Sequence, residues 1–173
     1  MKTKVILVPS HKDIHHFEPL PQAPFPQNFI PTSVFPSFLS VSNPCLVQMN
    51  ELKVGLVNTD IIKDLCSSMF PKNMEPPKID LSLKALLEQR SFYPLFPGNS
   101  DVPIEYEQIE KLYISEQPDL LITSSDLIQF VKTIEGVVCI NPGAIFKNDQ
   151  AGTYCTLTIE PFDYKAYVST HDH

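Results

Sequence analysis

Apolar positions in this chain fall in short bursts separated by proline and small polar residues, not in long periodic runs. Residues 5–8 form a mostly β-branched run that meets Pro9, which predicts a buried strand leading into a loop. Further short runs at 38–41, 45–48 and 53–57 are joined by the turn-like Ser42-Asn43-Pro44 and Asn50-Glu51 and read as a meander. A helix then follows, with Thr59 as its cap, Ile62, Leu65, Cys66 and Met69 at i, i+3, i+4 and i+7, and Pro71 as its stop. Asp80 caps a second helix carrying Leu83, Leu86, Leu87 and Arg90 on one side and ending before Pro94. Residues 104–114 fit a short helix or irregular chain. Pro118-Asp119 introduces a buried strand at 120–122. Ser124 or Ser125 caps a third helix, with Leu127, Phe130, Val131 and Ile134 at helical spacing and Gly136 closing it. A strand at 137–140, a tight turn at Asn141-Pro142-Gly143 and an alternating outer strand at 154–159 complete the pattern. Strands alternating with helices predict an α/β layer structure whose sheet is at least partly parallel.

Composition narrows the function. The chain has 173 residues, of which 43% are apolar, with 11 Phe and 6 Tyr, enough for one domain with a substantial core over 1–173 and too apolar for a disordered tail. No apolar stretch approaches the roughly 18 residues of a membrane helix. The basic start precedes only four apolar residues, short of the roughly 7–15 of a secretory signal, so an unexported, soluble chain is expected. Thirteen basic against twenty acidic residues give a net charge of −7. Residues 101–119 alone carry six acids against Lys111. No basic stripe exists, so strong direct nucleic-acid binding is not expected. There are 17 prolines, seven of them within 9–36, which reads as a long surface loop. Only five glycines occur, and neither GxxxxGK[ST] nor GxGxxG is present, which excludes nucleotide binding of those kinds. Cys45, Cys66, Cys139 and Cys155 form no CxxC pair and are expected to be reduced and buried.

Two clusters can bear chemistry. Ser10-His11-Lys12-Asp13-Ile14-His15-His16 follows a strand, where α/β folds place ligands. His11, Asp13 and His15 can bind a divalent metal, but a polar loop is the stronger reading because no second ligand cluster completes the coordination. Thr123-Ser124-Ser125-Asp126 can present hydroxyls and a carboxylate to a ligand, or simply cap a helix, the stronger reading again. The tail Thr170-His171-Asp172-His173 reads as a frayed end. No GxSxG elbow or Cys/His signature is present.

The ordered segments resemble a known family. Val5-Ile-Leu-Val-Pro-Ser-His-Lys-Asp-Ile-His-His16 is similar to the "VLVPSxRDxHH" segment of the B subunits of DNA polymerase alpha. The resemblance continues through Asn43-Pro-Cys45, Val54-Gly-Leu-Val-Asn-Thr-Asp60, Leu87-Glu-Gln-Arg-Ser-Phe-Tyr-Pro-Leu-Phe-Pro97, Pro118-Asp-Leu-Leu-Ile122 and Gly136-Val-Val-Cys-Ile-Asn-Pro-Gly143, covering roughly 5–160. It implies a calcineurin-like metallophosphoesterase β-sandwich flanked by helices, of which this chain would be the C-terminal portion, the upstream half and an oligonucleotide-binding-like domain being absent. It also implies a degraded active site. Ser10-His11-Lys12-Asp13 stands where an active relative has Gly-Asn-His-Asp, Phe92 where it has a ligand His, and Thr123-Ser124-Ser125-Asp126 where it has Gly-His-Thr-His. No metal, no cofactor and no catalytic residue are therefore expected. The implied role is a nuclear accessory subunit that binds the catalytic subunit's C-terminal domain and, indirectly, primase, with no membrane partner. The rivals are an active phosphoesterase with a site rearranged around His11, Asp13, His15 and Asp126, and a small-molecule-binding α/β module. The loop at 17–36 and the acidic stretch at 101–119 are the candidate partner surfaces.

Overall fold

The computed structural model describes residues 3–14, 17–26, 28–29, 36–70, 76–147 and 150–160. Strands β1 (Val5–Leu7) and β2 (Phe38–Ser40) pair in parallel, Val5 opposite Phe38, as a small sheet of their own. Strands β3 (Cys45–Met49), β4 (Leu52–Val57), β5 (Leu120–Thr123), β6 (Phe130–Ile134) and β7 (Val137–Asn141) form a second sheet in the order β3-β4-β5-β7-β6. Its centre, β4-β5-β7, is parallel, and each edge strand is one arm of an antiparallel hairpin. A short hairpin of β8 (Phe146–Lys147) and β9 (Gln150–Ala151) follows. Parallel neighbours need a long crossover. Helices α1 (Ile61–Ser68) and α2 (Lys78–Glu88) lie within the one from β4 to β5.

Alternation along the strands divides the sheet's apolar residues between two faces. Val57, Leu121, Val137 and Cys139 pack against Ile61, Ile62, Leu65, Leu83 and Leu86 of the helices in the main core. Each such side chain contributes about 1.5–3 kcal/mol on burial. Phe92 joins this core over Gly55, where an added Cβ would come within 3.2 Å of its ring and 3.1 Å of Leu121. The opposite face carries a second cluster of Val54, Leu120 and Ile140, with half-buried Val47, Leu52, Leu56, Ile122 and Val138 around them.

Several expectations are corrected. The segment read as a third helix is β6, which forms a hairpin with β7 through Glu135 and Gly136, both at positive φ (50° and 80°). Phe130 and Ile134 pack on the core while Val131 is 65% exposed, which is strand alternation and not a helical stripe. Ser124 and Ser125 therefore cap no helix. Asp60, not Thr59, caps α1, accepting from the Lys63 N–H at 3.2 Å, while Thr59 is buried. The cap position of α2 is Pro77, with Asp80 inside the first turn. Arg90 lies beyond α2 at φ 48°. Residues 154–159 form no strand and are exposed. The meander is only a β3-β4 hairpin, because β2 pairs with β1. Cys155 is exposed, although Cys139 is buried. Within the Pro-rich loop, Leu20 and Gln22 are fully buried and bonded to Pro103 and Asn43, so this part is a structural layer. Residues 106–112 form a 3₁₀ segment, Tyr106–Leu112, broken at Gln108 (φ −113°, ψ 18°). Pro71, His15, His16 and the tail at 170–173 lie outside the described residues.

Candidate functional site

The carboxyl ends of β1, β4 and β5 deliver three loops to one place, the general position of ligand sites in α/β sheets. The loop after β1 closes on itself: Ser10 N–H donates to Asp13 Oδ2 at 2.9 Å, and Lys12 N–H to Ser10 Oγ at 3.2 Å. Asn58, just beyond β4, donates from Nδ2 to the carbonyls of Val8 and Pro9, both at 3.2 Å, and so ties the first loop to the second. Behind it, fully buried Asn43 accepts the Asn58 N–H at 2.8 Å and donates to Gln22 Oε1 at 2.8 Å. The third loop is fixed by Asn141, whose Oδ1 accepts the Ser125 N–H at 3.2 Å and whose Nδ2 reaches the carbonyl of Ser125 at 3.3 Å. Asp60 joins the loops. One oxygen caps α1, and the other accepts the Asp126 N–H at 2.8 Å.

Ser10, His11, Lys12, Ser124, Ser125 and Asp126 thus line one small cleft of about 30 Å³, together with Asn58 and Asp60. A volume of that size holds a water or two and is far below the roughly 300–1,000 Å³ of small-molecule sites. Asp126 is the hub of its charge. Lys12 Nζ stands 3.4 Å from Asp126 Oδ2, and Lys63 Nζ 3.8 Å from the same oxygen. Burial, followed by the neighbouring Lys12 ammonium, lowers the His11 pKa below its ordinary 6.5, so this imidazole is neutral at neutral pH. Asp13 serves the turn. Thr123 is fully buried in β5 with no hydrogen-bond partner for its hydroxyl among the described residues, and Phe92 lies in the core away from the cleft.

The donor set does not fit a two-metal centre, which needs about half a dozen N/O ligands around ions roughly 4 Å apart. Both Asp60 oxygens are committed to backbone N–H groups, and Asp126 already faces two ammonium groups. Among the described residues no three His, Cys, Asp or Glu side chains converge as a metal site. Sequence reasoning missed Asn58, Asp60 and Lys63. Their signal was Asn58-Thr59-Asp60 at the end of a buried strand, but which other strand end they face depends on strand order, which local pattern does not carry.

A larger cleft of about 680 Å³ lies between the loop at 18–24, the start of β3 and the 3₁₀ segment, lined among others by Pro21, Cys45, Phe92, Lys111 and Tyr113. Burial pushes the Cys45 thiol up to about 11, so it is no nucleophile at neutral pH.

The family model for the B subunits of DNA polymerases alpha and epsilon matches residues 1–132. The chain is 35% identical over 156 residues to the rat B subunit of DNA polymerase alpha, covering 87% of this chain and 25% of that protein. It is 34% identical over 152 residues to the mouse protein of the same name, with the same two coverages. To the Schizosaccharomyces pombe protein of that name it is 32% identical over 167 residues, covering 91% of this chain and 29% of that one. The chain spans about a quarter of the length of these curated relatives.

Proposed function

Because this chain belongs to the B-subunit family of DNA polymerases alpha and epsilon, we propose that it acts as a non-catalytic accessory subunit of the DNA polymerase alpha–primase complex, in the nucleus, during initiation of replication. Its task in this reading is to hold the C-terminal domain of the catalytic subunit and, through it, to couple primase to polymerase. The observation that supports the non-catalytic half is the Lys12–Asp126–Lys63 cluster, which sets two ammonium groups on the carboxylate at the strand ends where, by the resemblance, an active phosphoesterase would keep cations. A metal-bound hydroxide and a clamp on the leaving oxygen both require those ligands. The rival reading, an active phosphoesterase rearranged around His11 and Asp126, has a neutral imidazole in its favour and a carboxylate already engaged against it.

Two further features support the proposal. The apolar second face of the five-stranded sheet, centred on Val54, Leu120 and Ile140, suits one layer of the sandwich expected of a calcineurin-like domain. The net charge of −7, without a basic stripe, suits contact with protein rather than with the DNA backbone. Loops at 8–13, 58–60 and 123–126 cross-braced by hydrogen bonds suit a scaffold, since ordering a flexible surface on binding costs affinity. The test is co-expression of the protein at its natural length with the catalytic subunit's C-terminal domain. The two should elute as one complex through a high-salt wash, and separate elution would overturn the proposal.

A further inference from the structure

Strand β3 is an open edge of the five-stranded sheet. It pairs with β4 across the two-residue turn Asn50-Glu51, with Met49 opposite Leu52, Val47 opposite Val54 and Cys45 opposite Leu56. In such a hairpin the pair beside the turn exchanges both backbone bonds, and every second pair after it does the same. Cys45, Val47 and Met49 therefore aim their N–H and C=O groups at β4, and Leu46 and Gln48 aim theirs outward. Among the described residues no hydrogen bond reaches those four outward groups. Proteins blunt an open edge with a proline, a charge or a bulge. The other edge, β6, carries Lys132, ion-paired to Asp80 at 2.7 Å. Strand β3 reads Cys-Leu-Val-Gln-Met, without proline or charge, and its register runs one to one without a bulge.

This edge opens onto the cleft of about 680 Å³. Leu46 stands opposite Gly55, over which Phe92 packs, so Leu46 faces the Phe92 side. Both residues line the cleft with Tyr113, which is 58% exposed. The cleft carries charges of both signs, Glu18 and Lys111. Glu18 Oε2 accepts the Ala23 N–H at 3.2 Å, and Lys111 donates to Gln108 Oε1 at 2.6 Å. Charge therefore selects no occupant, and backbone geometry does. We propose that the β3 edge docks an extended segment of a protein partner, added as a further strand about 4.8 Å beyond β3, with an apolar side chain seated in the cleft. Leu46 and Gln48 lie two residues, or about 7 Å, apart, the interval at which an extended chain repeats its own outward N–H and C=O. Every second side chain of the added strand falls on the Phe92 side, over Leu46, Phe92 and Tyr113. A nucleic acid offers no such row of amides, and a small molecule in the cleft leaves the edge open. A second copy pairing through both open residues sets its Gln48 against Leu46, which brings an amide and not an apolar group to the mouth of the cleft. The inference goes beyond the accessory-subunit reading and does not rest on it.

The experiment is selection of a random 12-residue peptide library on the immobilised protein at its natural length. Recovered peptides are re-measured by fluorescence anisotropy against wild type, Gln48→Pro, Gln48→Ala and Tyr113→Ser, with melting temperatures to confirm folding. Gln48→Pro removes an outward N–H and no bond to β4, a position where edge strands tolerate proline, whereas Gln48→Ala keeps the N–H. The expected result is a consensus around one Leu, Ile, Phe or Tyr, bound at least tenfold more weakly by Gln48→Pro and by Tyr113→Ser and within twofold of wild type by Gln48→Ala. Residue-resolved hydrogen exchange on the wild type gives a second readout, which decides the matter if Gln48→Pro does not fold. The Leu46 and Gln48 amides should exchange fast in the free protein and at least tenfold more slowly with peptide bound. No consensus, binding indifferent to Gln48→Pro, slow exchange at both amides in the free protein, or exchange unchanged by peptide would each overturn the inference. So would sedimentation showing that the wild type self-associates and that Gln48→Pro abolishes it.

Discussion

Lys12 Nζ lies 3.4 Å from Asp126 Oδ2, joining residues 114 positions apart across the ends of β1 and β5. The pair is exposed on both sides, and exposed ion pairs contribute only about 0–1 kcal/mol. Its consequence is chemical: it occupies the one carboxylate in the cleft not already committed to two backbone groups. What holds the three loops in place lies underneath, in Asn43, Asn58 and Asn141, whose bonds are largely shielded from water.

The first prediction contrasts these layers. Asn43→Ala removes the acceptor of the Asn58 N–H and the buried bond to Gln22 Oε1 and should cost about 2–4 kcal/mol, read as a lower urea midpoint. Lys12→Ala should change stability by less than about 0.5 kcal/mol. Equal effects from the two would show that the amide clamp is not what fixes the loops.

The second concerns the β6-β7 turn. Glu135 sits at φ 50° and Gly136 at φ 80°, a pairing that favours Asn-Gly. Glu135→Asn should stabilise by about 0.5 kcal/mol despite loss of its exposed ion pair with Lys84, and Gly136→Ala should destabilise by about 1 kcal/mol. Thermal melts of both variants decide it. No loss on Gly136→Ala would argue against the turn geometry.

That turn also shows where sequence reasoning stops. Leu127, Phe130, Val131 and Ile134 satisfy a helical template by spacing alone, yet Phe130, Lys132 and Ile134 alternate just as well with Val131 and Thr133. The deciding cue was two β-branched-rich runs on either side of Glu135-Gly136, which is hairpin chemistry. By contrast, β4, β5 and β7 were legible because fully buried parallel strands read as continuous apolar runs. The cleft was half legible. Ser10–Asp13 and Thr123–Asp126 announce themselves as polar ends of apolar strands, whereas Asn58, Asp60 and Lys63 join them only through the parallel pairing of β4 with β5. Phe92 was placed at the site by resemblance, but Gly55 leaves room on the sheet for its ring, and it packs there.

A third prediction follows from Tyr93. Its hydroxyl donates to Asp64 Oδ2 at 3.1 Å and accepts the Asn99 N–H at 3.0 Å. Burial, with the Asp64 carboxylate adding to it, raises its pKa from 10 to about 12. A pKa raised on folding contributes stability that is complete below the unfolded value and is lost as pH climbs through the folded one. Cys45 and Cys139, pushed up to about 11 by burial, act in the same direction. Urea midpoints should therefore hold steady near neutrality and fall from about pH 9 to about pH 12. Tyr93→Phe should cost about 1–2 kcal/mol at neutral pH and flatten the upper part of that fall. An unchanged alkaline slope would mean that Tyr93 is not the group responsible.

The last prediction tests the cleft as chemistry. If Lys12 and Lys63 hold the place of cations, millimolar manganese should leave the melting temperature of the wild type unchanged, because a divalent ion would have to displace two ammonium groups from one carboxylate. Hydrolysis of p-nitrophenyl phosphate should stay at the no-protein background with manganese present. Lys12→Ala/Lys63→Ala removes both ammonium groups from Asp126 beside a His11 whose pKa is lowered by burial, so this variant should gain weak manganese binding, seen as a concentration-dependent rise in melting temperature. It should gain no hydrolysis, since one carboxylate and one imidazole neither make the second metal site nor place a hydroxide in line with phosphorus. Manganese stabilisation of the wild type, or turnover abolished by Asp126→Ala, would overturn the non-catalytic reading, because either would require Asp126 to be free for a metal while both lysines are present.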